Sequence, residues 1–341
     1  MSEVAAVVIG RNEGARLGAC LASLGGCAPV VYVDSGSTDD SVALARDAGA
    51  IVVALEPAIP FTAARARNAG LAALTAAGSA AAYVQLVDGD CTVRPGWIDA
   101  ARDFLTAHPS HAVVCGRRRE HAPEATVYNR LADMEWNTPP GSAAACGGDA
   151  MMRRDALTAV GGFREDLIAG EEPELCLRLT RAGWQIERLD AEMTGHDAGL
   201  DRFGQWWRRT VRSGWAAAEG AALHGRGAER YNVARLRSII LWGAAIPGGT
   251  LFAGGLALAM AGAASAMPAA VALGGLAMIA IQTMRIARGR QRDRGDTAAN
   301  ARLYAAFTML GKLAQVQGVL RYALTAARGG RARLIEYRSE T

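Results

Sequence analysis

The chain has 341 residues, 51% hydrophobic and 21% charged, with a formal net charge of +4, enough for one large domain or two modest ones around an apolar core. Its six cysteines are scattered with no CxxC pair, which argues against a zinc ribbon or a disulfide scaffold and fits a reducing compartment. The charge is uneven: residues 1–100 hold six arginines and ten acids, a net of −4, whereas from Arg230 onward fifteen basic residues face four acids, a net of +11, as expected of a tail that meets anionic lipid or nucleic acid.

In chain order, "VAAVVIG" reads as a short buried strand over 4–9. It lacks a basic leader and is too short for a signal peptide, so the front of the protein is expected to stay in the cytoplasm. Leu17, Leu21 and Leu24 follow at helical spacing. A second strand over 30–33 breaks at "DSGSTDD", and a helix over 41–48 takes Asp39 or Asp40 as its N-cap. A third strand over 51–55, an alanine-rich helix over 63–77 and a fourth strand over 82–87 complete the series. Strands alternating with helices at this pitch imply βαβ units and a parallel sheet, whose ligands gather at the carboxyl ends of the strands. Asp34 and Asp88 both stand at such ends.

No Asp, Glu, Lys or Arg occurs between Arg237 and Arg285. Gly and Pro near 264–268 divide this stretch into apolar segments at 239–262 and 269–284, against the roughly 20 residues that a spanning helix needs. Arg235 and Arg237 precede it and Arg285, Arg288, Arg290, Arg292 and Arg294 follow, so a hairpin would enter from the cytoplasm and return there. The alternative is a buried helical pair in a soluble core. Beyond it, Leu303, Phe307, Leu310, Leu313 and Leu320 suggest an amphipathic helix, lying on the membrane or docked on a core, and "RGGRARLIEYR" suits anionic headgroups.

"LVDGD" sets Asp88 and Asp90 one residue apart where a strand stops. A carboxylate pair on a tight turn suits a hard divalent cation that also binds phosphate oxygens, and a solvated Asp-Gly turn is the plain alternative. "EEPE" at 171–174 is in isolation an acid-rich helix start.

The order "VVIGRNEG", "VDSGSTDDS", "ARARNAG", "LVDGD", "CGGDAMMRRDAL", "GGFREDLIAGEEPELCLRLTRAGW" and "QWWRR" resembles the family 2 glycosyltransferases over roughly residues 4–215. The resemblance implies the GT-A fold, a Rossmann-like α/β mixed sheet, here followed by a transmembrane helical hairpin and an amphipathic helix. It divides the chain into a nucleotide-sugar half at 1–97, an acceptor and catalytic half at 98–228, the hairpin at 236–288 and a basic tail at 296–341. It implies nucleotide-sugar contacts at Asp34, Glu13, Arg67 (with Arg65 competing) and Asp88, and a Mg2+ or Mn2+ ion at Asp90, Asp88 and His196. It implies a catalytic base at Glu172, or else Glu171, and acceptor contacts at Asp149, Trp206, Trp207 and Arg208. Arg209 stands where processive synthases carry the last Trp of their Gln-x-x-Arg-Trp signature, which argues against processive extension, and Ser35 replaces the family's second Asp. The implied activity is inverting transfer to a lipid-linked or glycolipid acceptor at the inner membrane, with the catalytic domain in the cytoplasm. The expected partners are a nucleotide sugar, that acceptor and the membrane, not nucleic acid. A sugar nucleotidyltransferase and a non-catalytic membrane scaffold are the alternatives.

Overall fold

The computed structural model describes residues 2–260 and 265–330, which form two compact units, Met1–Asp201 and Arg202–Thr341. In the first, helices alternate with strands in the order β1 (Val4–Gly10), α1 (Ala15–Ala22), β2 (Val30–Asp34), α2 (Ser41–Asp47), β3 (Ile51–Ala54), α3 (Ala63–Ala76) and β4 (Tyr83–Asp88). There follow β5 (Cys91–Val93), α4 (Trp97–Ala107), β6 (His111–Glu120), α5 (Val127–Trp136), β7 (Gly141–Ser142), β8 (Ala150–Arg153), α6 (Arg154–Ala159), α7 (Glu171–Arg181) and β9 (Gln185–His196). All nine strands join one sheet in the order β3-β2-β1-β4-β8-β6-β9-β5, with β7 also on β9. One sheet includes strands from both sides of residue 97, and the compact units divide at Asp201.

The first four strands are parallel. Helices cover both faces there, which is why β1 reads as an unbroken apolar run, buried from Val4 to Ile9. Gly70 lets α3 settle onto β1: an added Cβ would stand 2.3 Å from a Val7 methyl. Register sets Gly10 beside Asp34 and Ile9 beside Asp88, so both acids flank the end of β1. The far half of the sheet is mixed, with β8 antiparallel to β4 and β6, β6 parallel to β9, and β5 antiparallel to β9.

The second unit comprises α8 (Phe203–His224), α9 (Val233–Ile240), a π-helical turn (Leu241–Ala245), α10 (Ile246–Ala259), α11 (Ala266–Arg294) and α12 (Ala298–Ala327). Backbones touch in this unit. A Cβ on Gly214 of α8 would lie 2.1 Å from the Gln315 carbonyl oxygen, and one on Gly318 of α12 would lie 2.0 Å from that of Val211. The buried stripe of α12 is Ala301, Ala305, Gly311, Ala314 and Gly318, whereas Leu310, Leu313 and Leu320 are exposed. The helix therefore docks through its small residues, not its leucines. The π-helical turn ends two residues before Pro247, whose ring would clash with the carbonyl of Gly243 in a regular helix.

Val233–Ala259 and Ala266–Arg294 are long and apolar enough to cross a membrane. Leu251, Phe252, Leu258 and Met267 are each at least three-quarters exposed, at 77%, 75%, 90% and 76%. That exposure suggests membrane association and argues against a buried pair, which would hide them. The connection at 261–264 and the tail from residue 331, with most of the basic run, lie outside the described residues.

Candidate active site

The acids at the strand ends are held by their own turns. Asp34 is buried and accepts hydrogen bonds from the Gly36 and Ser37 amides, both at 3.0 Å, and from the Tyr32 hydroxyl at 3.1 Å. Gly36 supplies the left-handed turn with φ of 87°. Glu13 pairs with Arg16 at 3.0 Å, and its side chain lies where a Cβ on Gly10 or Gly89 would meet it, over the ends of β1 and β4.

Arg67 is buried on α3, whose N-cap Thr62 accepts from the Arg65 amide. Its guanidinium donates to Asp88 at 3.0 Å and to Glu171 at 2.8 Å, and lies over the Phe163 ring. Burial opposes its charge, but Asp88 and Glu171 outweigh burial and raise its pKa above the ordinary arginine value. Arg65 donates instead to the carbonyls of Ile59 and Glu56, so of the two arginines Arg67 is the one in the site.

Asp90 and His196, 106 positions apart in sequence, meet because β5 pairs with β9 in a register that sets Cys91 opposite His196. The His196 Nε2 lies 3.4 Å from the Asp90 Oδ2, and both residues are buried. A buried imidazole nitrogen beside a carboxylate fits a divalent cation of the Mn2+ type, and the His196 Nδ1 has no hydrogen-bond partner among the described residues. Glu120 backs the ring with its Oε2 4.0 Å from Nδ1, fixed by accepting from the Ala198 amide at 2.9 Å.

Asp149, expected on the acceptor side, has no exposed surface. It accepts from the Asp88 amide at 3.1 Å and from the Thr194 hydroxyl at 2.7 Å, and it ion-pairs with Arg118 at 2.7 Å. Arg118 carries the signal that sequence reasoning missed, three successive arginines in an apolar strand. Strand alternation turns Arg117 to Asp133 and Arg119 to Glu192, and sends Arg118 the other way, inward. There it lies 3.6 Å from Asp88 and over the face of Trp136, whose edge meets His196 at 4.7 Å between centroids. Burial is the largest single influence and resists its charge, but Asp149, Asp88 and Asp90 with the Cys91 sulfur together outweigh it and hold its pKa above the ordinary arginine value. Asp88, Arg67 and Arg118 converge on Gly148, where a Cβ would stand 2.9, 3.0 and 3.2 Å from them.

Glu171 and Glu172 open α7 after Gly170, which has φ of 80°. They face different neighbours. Glu171 is tied to Arg67, whereas the Glu172 Oε1 accepts from the Cys146 amide and from the Cys176 thiol, the latter at 3.1 Å. Trp206 and Trp207 lie in the second unit: Trp206 is buried against the Phe307 ring at 5.0 Å, and the Trp207 indole donates to Gln317 at 2.8 Å. Both contact residues of α12, and Arg208 beside them is exposed.

A sheet of this topology with paired strand-end acids and a neighbouring imidazole is that of a GT-A nucleotide-sugar domain. The family model described as glycosyl transferase family 2 matches residues 6–161. It is 30% identical over 244 residues to the pre-mycofactocin glycosyltransferases of two Mycobacterium tuberculosis strains, CDC 1551 and H37Rv, over 65% of this chain and 48% of theirs. The chain thus spans about half the length of the curated relatives it matches. Among solved structures, the mannosyltransferase PcManGT from Pyrobaculum calidifontis, in complex with GDP-Man and Mn2+, shares the fold with a TM-score of 0.61 at 17% identity, covering 94% of this chain and 87% of that one.

Proposed function

We propose that the protein is an inverting glycosyltransferase that moves a sugar from a nucleotide sugar, a UDP-sugar first among candidates, to a lipid-linked or glycolipid acceptor. One observation carries this reading: Asp88, Asp90, His196 and Arg67 gather in a single site at the strand ends, where open α/β sheets bind nucleotides. The kinship with glycosyltransferases supports it.

Asp90 and His196, with Asp88 beside them, would hold Mg2+ or Mn2+, which when bound offsets charge on the departing diphosphate. Asp34 and Glu13 line the expected nucleoside side. Arg67 is placed to exchange its carboxylate partners for phosphate oxygens, a bidentate fit that suits a guanidinium. The acceptor hydroxyl attacks the anomeric carbon, the bond from that carbon to the diphosphate oxygen breaks, and the hydroxyl proton passes to a carboxylate. We assign that proton to Glu172, because protonating Glu171 would break its ion pair with Arg67. The two long apolar helices, flanked outside by arginines, support insertion into the inner membrane with both ends in the cytoplasm.

The test is release of nucleoside diphosphate from a panel of UDP- and GDP-sugars, with Mn2+ and a membrane lipid extract. Wild type should release it, and Glu172→Gln should bind donor without turnover. Full activity in Glu172→Gln would refute the assigned base, and no release from any donor would refute the transferase.

A further inference from the structure

Beneath Glu172 lies a cluster of thiols that the reaction does not use. The Sγ atoms of Cys146 and Cys176 are 3.7 Å apart, and the Cys176 Sγ is 3.1 Å from the Glu172 Oε1. One ligand atom from each of Cys146, Glu172 and Cys176 lies within 4.8 Å of the other two. The elements converge for ordinary reasons. Glu172 and Cys176 are four apart on α7, hence on one face, and Cys146 precedes the Gly147–Gly148 turn that enters β8.

We propose that Cys146, Cys176 and Glu172 form a second metal site, distinct from the Asp90–His196 pair, that takes a thiophilic divalent cation such as Zn2+ or Cd2+. Two thiolates on one tetrahedral zinc, each at about 2.3 Å, stand about 3.8 Å apart, close to the spacing already present between these two sulfurs. The donor set also selects: two soft thiolates favour Zn2+ and Cd2+ over Mg2+ and Mn2+, whereas the Asp90–His196 pair has one sulfur beside it, that of Cys91, which donates to the Asp90 carboxylate at 3.5 Å. Cysteine sulfurs bind such cations as thiolates. Binding then forms two metal–sulfur bonds and one metal–oxygen bond and releases two protons to solvent, one from each thiol. Cys176 no longer donates to Glu172, and the carboxylate is spent on the cation. This last consequence rests on Glu172 as the base of the proposed reaction: occupancy of the thiol site should stop transfer while leaving the Mn2+ site filled.

The experiment uses the full chain in detergent with Mn2+ in excess, titrated with Cd2+. Wild type should take up one equivalent with a cadmium–thiolate charge-transfer band in the ultraviolet and release of two protons. Cys146→Ser and Cys176→Ser should each weaken Cd2+ by at least about tenfold. Cys27→Ser, which alters the one half-buried cysteine, and Asp90→Asn should both keep the band. If the serine variants fail to fold, X-ray absorption of the wild type loaded with one equivalent of Zn2+ should show sulfur neighbours near 2.3 Å. Absence of the thiolate band from wild type, or oxygen and nitrogen neighbours alone around zinc, overturns the site. A bound thiolate complex that leaves turnover intact overturns its link to the reaction. Failure of the transferase reading would show separately, as no turnover with Mn2+ alone.

Discussion

The two units bury opposite things. The first hides charge: Asp149 has no exposed surface, Arg67 has 3%, and each is matched by ion pairs and hydrogen bonds. The second hides glycine and alanine along α12 and turns Leu258 and Phe252 outward. Burying a charge is costly unless it is paired, so a network of this density marks a site rather than a scaffold. Outward leucines cost little only where the surroundings are themselves apolar, and close backbone contact through small residues holds helices together where hydrophobic association does not. The two long apolar helices of the second unit thus suggest membrane association.

The sharpest way to break the first side of this contrast is Glu172→Gln, which should lower turnover by roughly 10²–10⁴-fold, the range of a lost general base, with donor affinity retained in calorimetry. Arg118→Met should follow, with a loss of roughly 10–100-fold in activity or Mn2+ affinity as Asp88 and His196 lose their common support, and Arg118→Lys should restore part of it. Equal Mn2+ affinity in Arg118→Met would detach Arg118 from the site. On the second side, Gly318→Leu must push α8 off α12, because even a Cβ would meet the Val211 carbonyl. About 1–3 kcal/mol of destabilisation, or more, is expected in detergent-phase unfolding, with Leu320→Ala on the exposed face close to neutral. The smallest effect concerns His111, which packs against Phe104 and stands 3.9 Å from Glu187. Burial depresses its pKa below the ordinary 6.5, so its contribution to stability is full above that pH and is lost as pH falls through the folded value. His111→Gln should flatten that part of the stability curve.

Much of the first side was legible. Strand-end acids are local features: "YVD" and "LVDGD" announce both a buried strand and the charge that ends it, and Asp34 and Asp88 are where that pattern puts them. Partners supplied by register were not legible from local pattern. Nothing near "TGHD" says that His196 will face Asp90, because the ladder from β5 to β9 decides it, and only family resemblance paired them. The inward turn of Arg118 and the burial of Asp149 depend on the same mixed half of the sheet. In the second unit, hydrophobic periodicity pointed to the leucines of α12. Periodicity measures which face is apolar, and it fails where tight packing selects the smallest side chains instead.

The ladder that joins β5 to β9 has three rungs, from Cys91–His196 to Val93–Thr194. The long intervening segment could gain or lose loop residues, or exchange whole turns, without disturbing the pair of ligands at its ends. A slip of one residue in β9 would turn the imidazole to the opposite side of the sheet, so tolerance of insertions should drop abruptly at those six residues and be greater only in the exposed loops between them.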